Sequence, residues 1–514
     1  MQPKKPNVVL FMVDQLTAFA LNAYGGEVCK TPNLDRLASR STVFENAYTP
    51  YPLCAPARFS MMSGRLPSRI GAYDNGAEFP ASTPTIAHHL RAAGYYTCLS
   101  GKMHFVGPDQ YHGFEERLTT EIYPADFSWT PTTDYGDVSS DDERRYAAGV
   151  STMDTVFDAA PLARSMQIDY DEDVAHCAIR EIYRLARSNE SRPFFLTVSL
   201  THPHDPYVIT QPYWDLYKDL DITPPKVGFI PLEERDPHSR SLYYHYGQDK
   251  VTLTDQDYRN ARRGYYGMVS YIDELFGRVN EALNLGGFSD DTIICFTSDH
   301  GDMLGERGMW FKKTLFEPAI RIPLMISAPG RSAGRVKPPA SLVDLLPTIL
   351  ELTNTHLNTN ATLLDGHSLL ADMNGIESSR SVFCEHIDGG TTAPRVMLRN
   401  GNYKYVYSRA YPPQLYDLLL DPNELNNLCN KPETQEIETR FKQQIENQWD
   451  LDSLSNEVAA NQSARRLIDS ALSQGREEIW DFQPRAQRHN TNYVRRGDEF
   501  PHVEQRGYLP YSKD

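Results

Sequence analysis

The sequence contains no apolar run long enough to cross a bilayer. The run at residues 8–13 is much shorter than the roughly 20 apolar residues of a membrane-spanning helix. It is also too short for the apolar core of a secretory signal, and the residues before it are few and polar. We therefore expect no membrane partner and no export of the chain.

An excess of positive charge is also missing. The chain has 51 Lys and Arg residues against 68 Asp and Glu residues, which gives a formal net charge of −17 at pH 7. This balance argues against nucleic acid or an anionic membrane surface as a partner. It is compatible with a cationic substrate, although many acidic proteins bind none.

Cysteine is scarce and follows no pattern. The chain has 7 cysteines, widely spread and without a Cys-x-x-Cys pair. An odd number in this distribution fits neither a disulfide framework nor a structural zinc site. We expect six of them to be buried free thiols in a reducing compartment, and Cys54 to be the exception.

Three apolar runs, at residues 8–13, 193–200 and 292–297, have the length and composition of strands that are buried on both faces. Helix-like stretches such as residues 85–93 and 258–283 lie between them. This alternation predicts an α/β fold with a large, mostly parallel sheet sandwiched by helices. Asp, His or both follow each run, and the carboxyl ends of parallel strands meet at one edge, so these side chains should converge there.

The pattern changes near residue 376. Short strands are predicted at residues 382–385, 396–399 and 403–407, and a helix at about residues 433–449. A polar helix and an irregular tail rich in aromatic and arginine residues follow. We predict a catalytic α/β domain at 1–375, a small antiparallel sheet plus helix at 376–450, and an extended tail at 451–514 that packs against the rest of the protein or against another subunit.

The motif with the most specific chemistry is Cys-Ala-Pro-Ala-Arg at residues 54–58. Pro56 suits the first turn of a helix, which puts Cys54 just before the helix start, where free N–H groups favour an anion. Arg58 lies one turn further and can stabilise charge at position 54. By chemistry alone this is a candidate low-pKa nucleophilic thiolate, while the alternative is a buried cysteine beside a loop proline.

Asp14 follows one predicted strand, and Asp299 and His300 follow another. Their carboxylate oxygens and imidazole suit calcium or magnesium more than zinc. The residue after Asp14 is Gln15, whose amide can still offer a carbonyl oxygen. Taken alone, Asp14 is more often a helix cap or turn residue.

Cys-x-Pro-x-Arg followed by Gly-Arg at residues 64–65 resembles the type I sulfatases of the alkaline phosphatase superfamily. The resemblance implies that a maturation enzyme oxidises Cys54 to formylglycine, whose hydrate attacks sulfur and forms a sulfated hemiacetal. The common motif has Ser where this chain has Ala57, but choline sulfatases have Cys-Ala-Pro-Ala-Arg. It also implies one metal ion, calcium with magnesium or manganese as alternatives, held by Asp14, Asp299, His300 and the group at Cys54.

The same resemblance gives roles to a cationic cluster. Lys102 and Lys312 would hold the sulfate, with Lys313 competing for the second place. His104 would help to eliminate sulfate, His204 would assist the leaving oxygen, with His202 as the weaker candidate, and Asp299 would also act as base. Taken alone, each is more often a surface charge or a satisfied histidine.

Similarity to choline sulfatases extends over nearly the whole chain, including residues 100–104, 112–120, 298–308 and 480–484. It implies hydrolysis of choline-O-sulfate in the cytoplasm by a homo-oligomer, a dimer or tetramer, joined through its C-terminal tail. A quaternary ammonium needs aromatic faces and carboxylates. Candidates are Asn75, Trp129, Asp388 and Asp498.

Two departures affect this ammonium site. Gly389 stands where family members can carry a glutamate, and residues 134–149 are acidic and arginine-bearing where relatives have Trp and His. Ordinary core packing is as good an explanation for Trp129 as ligand contact. The rival functions are a phosphonate or phosphate monoester hydrolase, another sulfatase, and a sulfatase-like binding protein without turnover.

Overall fold

The computed structural model describes residues 5–132, 151–188, 190–222, 224–357, 362–376, 378–387, 389–476 and 479–484. Within these ranges, no helix combines the length and the hydropathy needed to span a membrane.

The central feature is an eight-stranded sheet whose neighbours run parallel except on either side of β11. This confirms the predicted α/β class with a mostly parallel sheet. In spatial order its strands are β12 (Gly334–Val336), β2 (Thr42–Phe44), β11 (Leu324–Ser327), β9 (Thr292–Ser298), β1 (Asn7–Val13), β7 (Phe194–Ser199), β4 (Tyr96–Gly101) and β5 (Glu116–Arg117).

Strand β1 is apolar throughout because helices cover both faces of the sheet. The helices of the described residues up to 376 are α1 (Pro32–Ser39), α2 (Cys54–Ser63), α3 (Ile86–Ala92), α4 (Asp154–Phe157), α5 (Met166–Arg187), α6 (Gln211–Asp215), α7 (Pro237–His245), α8 (Asp255–Leu285), α9 (Glu317–Ile320), α10 (Leu345–Leu352) and α11 (Leu370–Met373). On β1, the alternate residues Val9 and Phe11 belong to the core formed with α1, α5 and α8, whereas Val8 and Leu10 belong to the core formed with α2, α3 and α10.

Two small sheets flank the large one. One has the order β10-β3-β13 and the other pairs β6 with β8. Their strands are β3 (Ala47–Tyr48), β6 (Pro161–Leu162), β8 (Ile209–Thr210), β10 (Arg321–Ile322) and β13 (Ala340–Ser341).

A separate four-stranded antiparallel sheet follows, as predicted, with α12 (Gln435–Glu446) packed on it. The sequence reading missed its last strand, because that segment was interpreted only as the approach to a helix. The strands are β14 (Ser381–His386), β15 (Arg395–Asn400), β16 (Tyr403–Ser408) and β17 (Gln414–Asp417), and the last helix is α13 (Leu451–Leu472). The domain boundaries at residues 375 and 450 remain predictions.

Buried charges join this small sheet to the preceding α/β part. Lys404 Nζ on β16 lies 3.1 Å from Glu317 Oε1 of α9 and 2.5 Å from Glu424 Oε1. All three side chains are buried. Because an unpaired buried charge is costly, this network fixes how the two parts are joined.

The described end of the tail packs on the α/β part of its own chain. Asp481 Oδ1 accepts a hydrogen bond from Ala125 N at 3.0 Å. The Phe482 ring lies beside Tyr111 and under the Arg117 guanidinium. Within residues 479–484 the tail therefore does pack, against the α/β part of the same chain. Residues 485–514 lie outside the described ranges.

Candidate active site

Parallel strands bring four polar side chains to one edge of the large sheet. Asp14 follows β1, Lys102 follows β4, and Asp299 and His300 follow β9. Because these strands run in the same direction, their carboxyl ends meet there. All four side chains are fully buried, and the convergence expected from the sequence is confirmed.

Cys54 is the first residue of α2, one position further into the helix than predicted. Its Sγ atom lies 3.3 Å from His300 Nε2 and 3.7 Å from Asp14 Oδ1. Asn75 Oδ1 accepts the neighbouring Ala55 N–H at 3.0 Å, which satisfies one free donor of the helix terminus. The remaining terminal N–H groups keep position 54 favourable for an anion.

Asp14, Cys54, Asp299 and His300 form a possible metal site. One ligand atom from each lies within 4.8 Å of the others, and all four residues are buried. His300 Nδ1 donates to Gly301 O at 3.0 Å, so Nε2 presents its lone pair to the site. Burial lowers the pKa of His300, which favours the neutral imidazole that a metal requires.

Arg58 connects the acidic groups of this cluster. Its guanidinium donates to Asp299 Oδ2 at 2.8 Å and to Asp14 Oδ2 at 3.0 Å. It also donates to Ser199 Oγ at 2.8 Å. Burial disfavours charge on Arg58, but the two carboxylates outweigh it and raise its pKa. Burial likewise opposes ionisation of Asp14, yet Lys102 and Arg58 hold the pKa of Asp14 well below its ordinary value.

Two lysines add positive charge around position 54. Lys102 Nζ contacts Asp14 Oδ2 and lies 4.2 Å from the centre of the Tyr123 ring. Lys312 Nζ lies 3.9 Å from Cys54 Sγ. Burial opposes charge on Lys312, but neighbouring acidic groups, led by Cys54, outweigh it and raise its pKa.

Two histidines border these lysines. His204 Nδ1 donates to Asp205 O at 2.7 Å, so its Nε2 faces Lys312 Nζ at 2.5 Å. The His104 ring stacks on Tyr123 with centroids 4.7 Å apart. Burial, reinforced by neighbouring cations, holds the pKa of His104 well below its ordinary value. Its ring nitrogens are buried and have no hydrogen-bond partner among the described residues.

This arrangement combines a nucleophile position, ligands for a cation and buried positive charges around one point. It fits a tetrahedral oxyanion ester, because cations can hold the nonbridging oxygens while an imidazole protonates the leaving oxygen. Two carboxylates with one imidazole suit a single hard divalent cation.

A sequence profile of the sulfatase family matches residues 6–355, more than half of the chain. The chain belongs to the sulfatase family. Two further profiles match this sulfatase: "N-sulphoglucosamine sulphohydrolase, C-terminal" at residues 305–450 and "Choline sulfatase enzyme C terminal" at residues 456–507. The protein is therefore a sulfuric ester hydrolase, as the resemblance implied.

Individual relatives agree with this assignment. The choline-sulfatase of Rhizobium meliloti (strain 1021) is 44% identical over 497 residues, which cover 96% of each chain. An arylsulfatase of Clostridium perfringens (strain 13 / Type A) is 30% identical over 454 residues, 84% of this chain and 92% of the relative. The crystal structure of a phosphonate monoester hydrolase of Agrobacterium radiobacter matches with a TM-score of 0.69 at 24% identity, covering 88% of this chain and 96% of that one. The last likeness shows a shared fold alone.

The sulfatase structure separates neighbouring candidates that the sequence left open. Lys312 points to position 54, whereas Lys313 Nζ lies 3.1 Å from His245 Nε2. His204 faces Lys312, whereas His202 Nδ1 is held by Asp171 Oδ2 at 2.6 Å. Lys312 is therefore the lysine beside position 54 and His204 the histidine beside that lysine, and their catalytic roles remain predictions.

The residues predicted for an ammonium group are only partly described. Asn75 lies beside the first turn of α2. The buried Trp129 ring packs against His104 and Tyr123, with centroids 5.3 and 4.8 Å away. Both neighbour the sulfatase cluster. Outside the described residues lie Asp388, Asp498 and the loop at residues 134–149 whose sequence differs from that of relatives.

Glu121 is a buried carboxylate that sequence reasoning missed. Its Oε2 accepts Met103 N at 2.9 Å, His104 N at 2.8 Å and Arg117 NH2 at 3.1 Å. His104 has φ 59°, a left-handed conformation that is unfavourable for a residue with a Cβ atom. Glu121 thus holds the segment that carries Lys102 and His104. Glu121 directly follows the segment 112–120, and nothing in the sequence around it indicated a chemical role.

Asp302 and Gln15 form a second missed support. Asp302 Oδ1 accepts Phe311 N at 3.1 Å, and its Oδ2 accepts Gln15 Nε2 at 2.6 Å. Gln15 Oε1 in turn accepts from Lys312 Nζ. The amide oxygen considered as a metal ligand is therefore used here to position Lys312. The only available signal was the clustering of Asp302 with Asp299 in sequence.

Proposed function

We propose that this sulfatase hydrolyses choline-O-sulfate to choline and sulfate, with Cys54 oxidised to formylglycine and one calcium ion bound. The observation that carries the proposal is the convergence of Asp14, Cys54, Asp299 and His300 ligand atoms within 4.8 Å of one another. The choice of choline is supported by the 44% identical choline-sulfatase, which aligns over 96% of this chain.

Four residues form what we call the sulfate pocket: Cys54, Arg58, Lys102 and Lys312. Cys54 supplies the nucleophile position, and the two lysines bind the nonbridging oxygens of the sulfate. Arg58 bridges the carboxylates of Asp14 and Asp299, since it donates to both. Because the cations are already held in place, they need not reorganise as negative charge develops.

Asp14, Asp299, His300 and the oxidised position 54 would hold the metal ion. When present, the ion and the formylglycine hydrate supply Lewis-acid polarisation and an oxygen nucleophile at neutral pH. Asp299 Oδ1 accepts Gln15 N at 3.1 Å and His300 N at 2.9 Å, which orients the carboxylate toward position 54 for its second role as base. Calcium is preferred because carboxylate oxygens dominate the donor set, with magnesium or manganese as alternatives.

The two histidines would move protons in different steps of the reaction. His204 is fixed with Nε2 toward Lys312 Nζ, so a proton passed from the Lys312 ammonium to Nε2 could be handed on to the choline oxygen as the ester bond breaks. His104 has a low pKa because of burial, so it is neutral and able to accept a proton when sulfate leaves. The water consumed in each cycle restores the nucleophile.

Asn75 and Trp129 form what we call the alcohol wall, the side that receives the quaternary ammonium. An indole face attracts such a cation, which has no N–H to donate. Asp388 and Asp498 remain candidates for the accompanying carboxylates. The profile named for the choline sulfatase C terminus, at residues 456–507, supports this choice of alcohol.

The remaining expectations also belong to this proposal. All seven cysteines lie in the described ranges and none is in a disulfide, which is consistent with the proposed reducing compartment and cytoplasmic location. A formylglycine-generating enzyme is required as a maturation partner. Assembly as a dimer or tetramer through residues 451–514 is proposed from the family resemblance.

The proposal is tested in two steps. Peptide mass analysis of residues 45–58 should reveal the mass loss that accompanies conversion of the Cys54 thiol to an aldehyde. Substrate profiling should then give the highest kcat/KM for choline sulfate over an aryl sulfate and a phosphonate ester. An unmodified Cys54 in a fully active enzyme would contradict the nucleophile, and preference for the phosphonate would contradict the reaction.

A further inference from the structure

Helix α13 reaches back from the C-terminal part of the chain to the α/β part. Gln462 and Arg465, three residues apart and therefore on one helix face, are 1% and 4% exposed. The Arg465 guanidinium binds the Asp74 carboxylate through two hydrogen bonds, NH1 to Oδ1 at 2.8 Å and NH2 to Oδ2 at 2.6 Å. Gln462 Nε2 donates to Asp74 Oδ2 at 3.1 Å.

The same guanidinium also holds a second segment. Arg465 NH1 donates to Thr130 Oγ1 at 3.0 Å. Asp74 and Thr130 are themselves 3% and 6% exposed. A buried guanidinium that donates to one carboxylate and one hydroxyl restricts the positions of both partners.

These two partners are the immediate neighbours of the alcohol wall. Asp74 precedes Asn75 and its Oδ1 accepts Gly76 N at 2.9 Å, which closes the turn around Asn75. Thr130 follows Trp129. The two segments touch through backbone, because a Cβ atom at Gly76 would lie 2.6 Å from Thr130 N and 2.7 Å from Trp129 C.

Residues of the sulfate pocket have other supports. The direct partners of Arg58 are Asp14, Asp299, Ser199 and the Lys102 carbonyl. Those of Lys312 are Gln15, His204 and Cys54. The contacts of Gln462 and Arg465 therefore bear directly on the alcohol wall, which touches the start of α2 through the hydrogen bond from Ala55 N to Asn75 Oδ1.

We propose that Arg465, assisted by Gln462, is a positioning residue that sets the geometry of the alcohol wall and so determines which alcohol this sulfatase accepts. The proposal rests on the proposed function for the identity of that alcohol. It also gives a physical task to the C-terminal segment at residues 456–507, whose profile is named for choline sulfatases.

The test compares two competitive inhibitors of aryl sulfate hydrolysis. Choline reports on the alcohol wall, and inorganic sulfate reports on the sulfate pocket. In Arg465→Lys a single amine cannot hold both oxygens of Asp74 and Thr130. The inhibition constant of choline should rise about 10-fold, because a small misplacement of binding groups is costly, while that of sulfate should change less than about 2-fold.

Two further variants make the result decisive. Gln462→Leu removes one hydrogen bond and keeps the ion pair, so it should raise the choline constant about 3-fold. Arg399→Lys is the matched control, because Arg399 is also buried and joins the small sheet to Tyr48, away from the wall. It should leave both constants unchanged.

Equal shifts of the choline and sulfate constants in Arg465→Lys, or no shift in either, would overturn the proposal. If Arg465→Lys does not fold, the ratio of constants in Gln462→Leu decides in the same way. A wild-type enzyme that neither cleaves choline sulfate nor binds choline contradicts the proposed function instead. In that case the positioning role is tested by the ratio of kcat/KM values for a small and a bulky aryl sulfate. Arg465→Lys should change this ratio, and an unchanged ratio would overturn the positioning role.

Discussion

The sulfate pocket and the alcohol wall are neighbours in one site, yet their residues come from different kinds of structure. Lys102 directly follows a strand of the large sheet, and Cys54 begins a helix packed on that sheet. Asn75 and Trp129 lie in a turn and a short 3₁₀ segment that α13 holds together. Parallel strands fix the first set, whereas contacts distant in sequence fix the second.

Buried carboxylates of the α/β part and of the small sheet also differ in their partners. Asp14 is surrounded by cations that hold its pKa low despite burial. Glu385, on the small sheet, accepts hydrogen bonds from Ser68 N at 2.8 Å and Trp449 Nε1 at 2.7 Å but has no ion pair with a described residue. Burial raises its pKa to about 7. Asp14 in the active site is therefore matched by opposite charges, as is Asp74 behind the wall, whereas Glu385 on the small sheet is a weakly ionising acid.

Cys54→Ala should give the largest effect and separate catalysis from binding. Without a nucleophile, turnover of choline sulfate and of an aryl sulfate should both fall at least about 10⁴-fold. Calorimetry should still detect choline sulfate binding, because the lysines and the wall are unchanged. Cys177→Ala, at a half-buried cysteine on α5, is the control and should keep wild-type rates. Near wild-type turnover by Cys54→Ala would show that Cys54 does not supply the nucleophile, and the sulfate pocket would then be wrongly located.

Glu385→Gln tests the contrast between the two kinds of carboxylate. A folded-state pKa of about 7, above the unfolded value of 4.5, gives stability that is complete below pH 4.5 and is lost as pH rises through 7. The wild type should therefore lose about 3 kcal/mol between pH 4.5 and pH 8 that the glutamine variant does not lose. For a chain of this length that corresponds to about 3 °C in the unfolding midpoint.

The measurement is the difference in thermal midpoint between Glu385→Gln and the wild type at several pH values. The thermal midpoint of Glu385→Gln should increase relative to that of the wild type as pH rises. The positive charge of Arg69 opposes the effect of burial and lowers the pKa of Glu385, so Arg69→Gln should widen the difference. A difference that does not depend on pH would show that Glu385 is ionised throughout, like Asp14.

Much of the sulfate pocket could be predicted because its signals are local. A strand buried on both faces is recognisable as a continuous apolar run, and a polar residue after it must lie at the carboxyl edge. That reasoning located Asp14 and Asp299. The choice between Lys312 and Lys313 was less accessible, since Phe311 and Lys313 both have positive φ, which turns adjacent side chains in opposite directions.

The supports of the wall could not be predicted for a physical reason. Helical periodicity shows that Gln462 and Arg465 share a face, but it does not name the surface on which that face packs. Asp74 lies 391 positions from Arg465, and only tertiary packing brings them together. Glu121 was missed similarly, because a buried carboxylate that accepts backbone N–H groups has no sequence signature.

Glu121→Gln should have a smaller effect on turnover than Cys54→Ala and sharpens the comparison most. The amide keeps one acceptor but turns an N–H₂ either toward the Met103, His104 and Arg117 donors or toward Ile122 N, so the segment that carries Lys102 should shift. Turnover of choline sulfate and of an aryl sulfate should fall equally, by about 10- to 100-fold, since misplacement of the sulfate-binding groups affects both. Glu181→Gln, at a buried carboxylate paired with Arg184, is the control and should leave both rates unchanged. A selective loss of choline sulfate turnover in Glu121→Gln would mean that the two sides of the site are not supported independently, because Trp129 packs on His104 and would then carry the disturbance across.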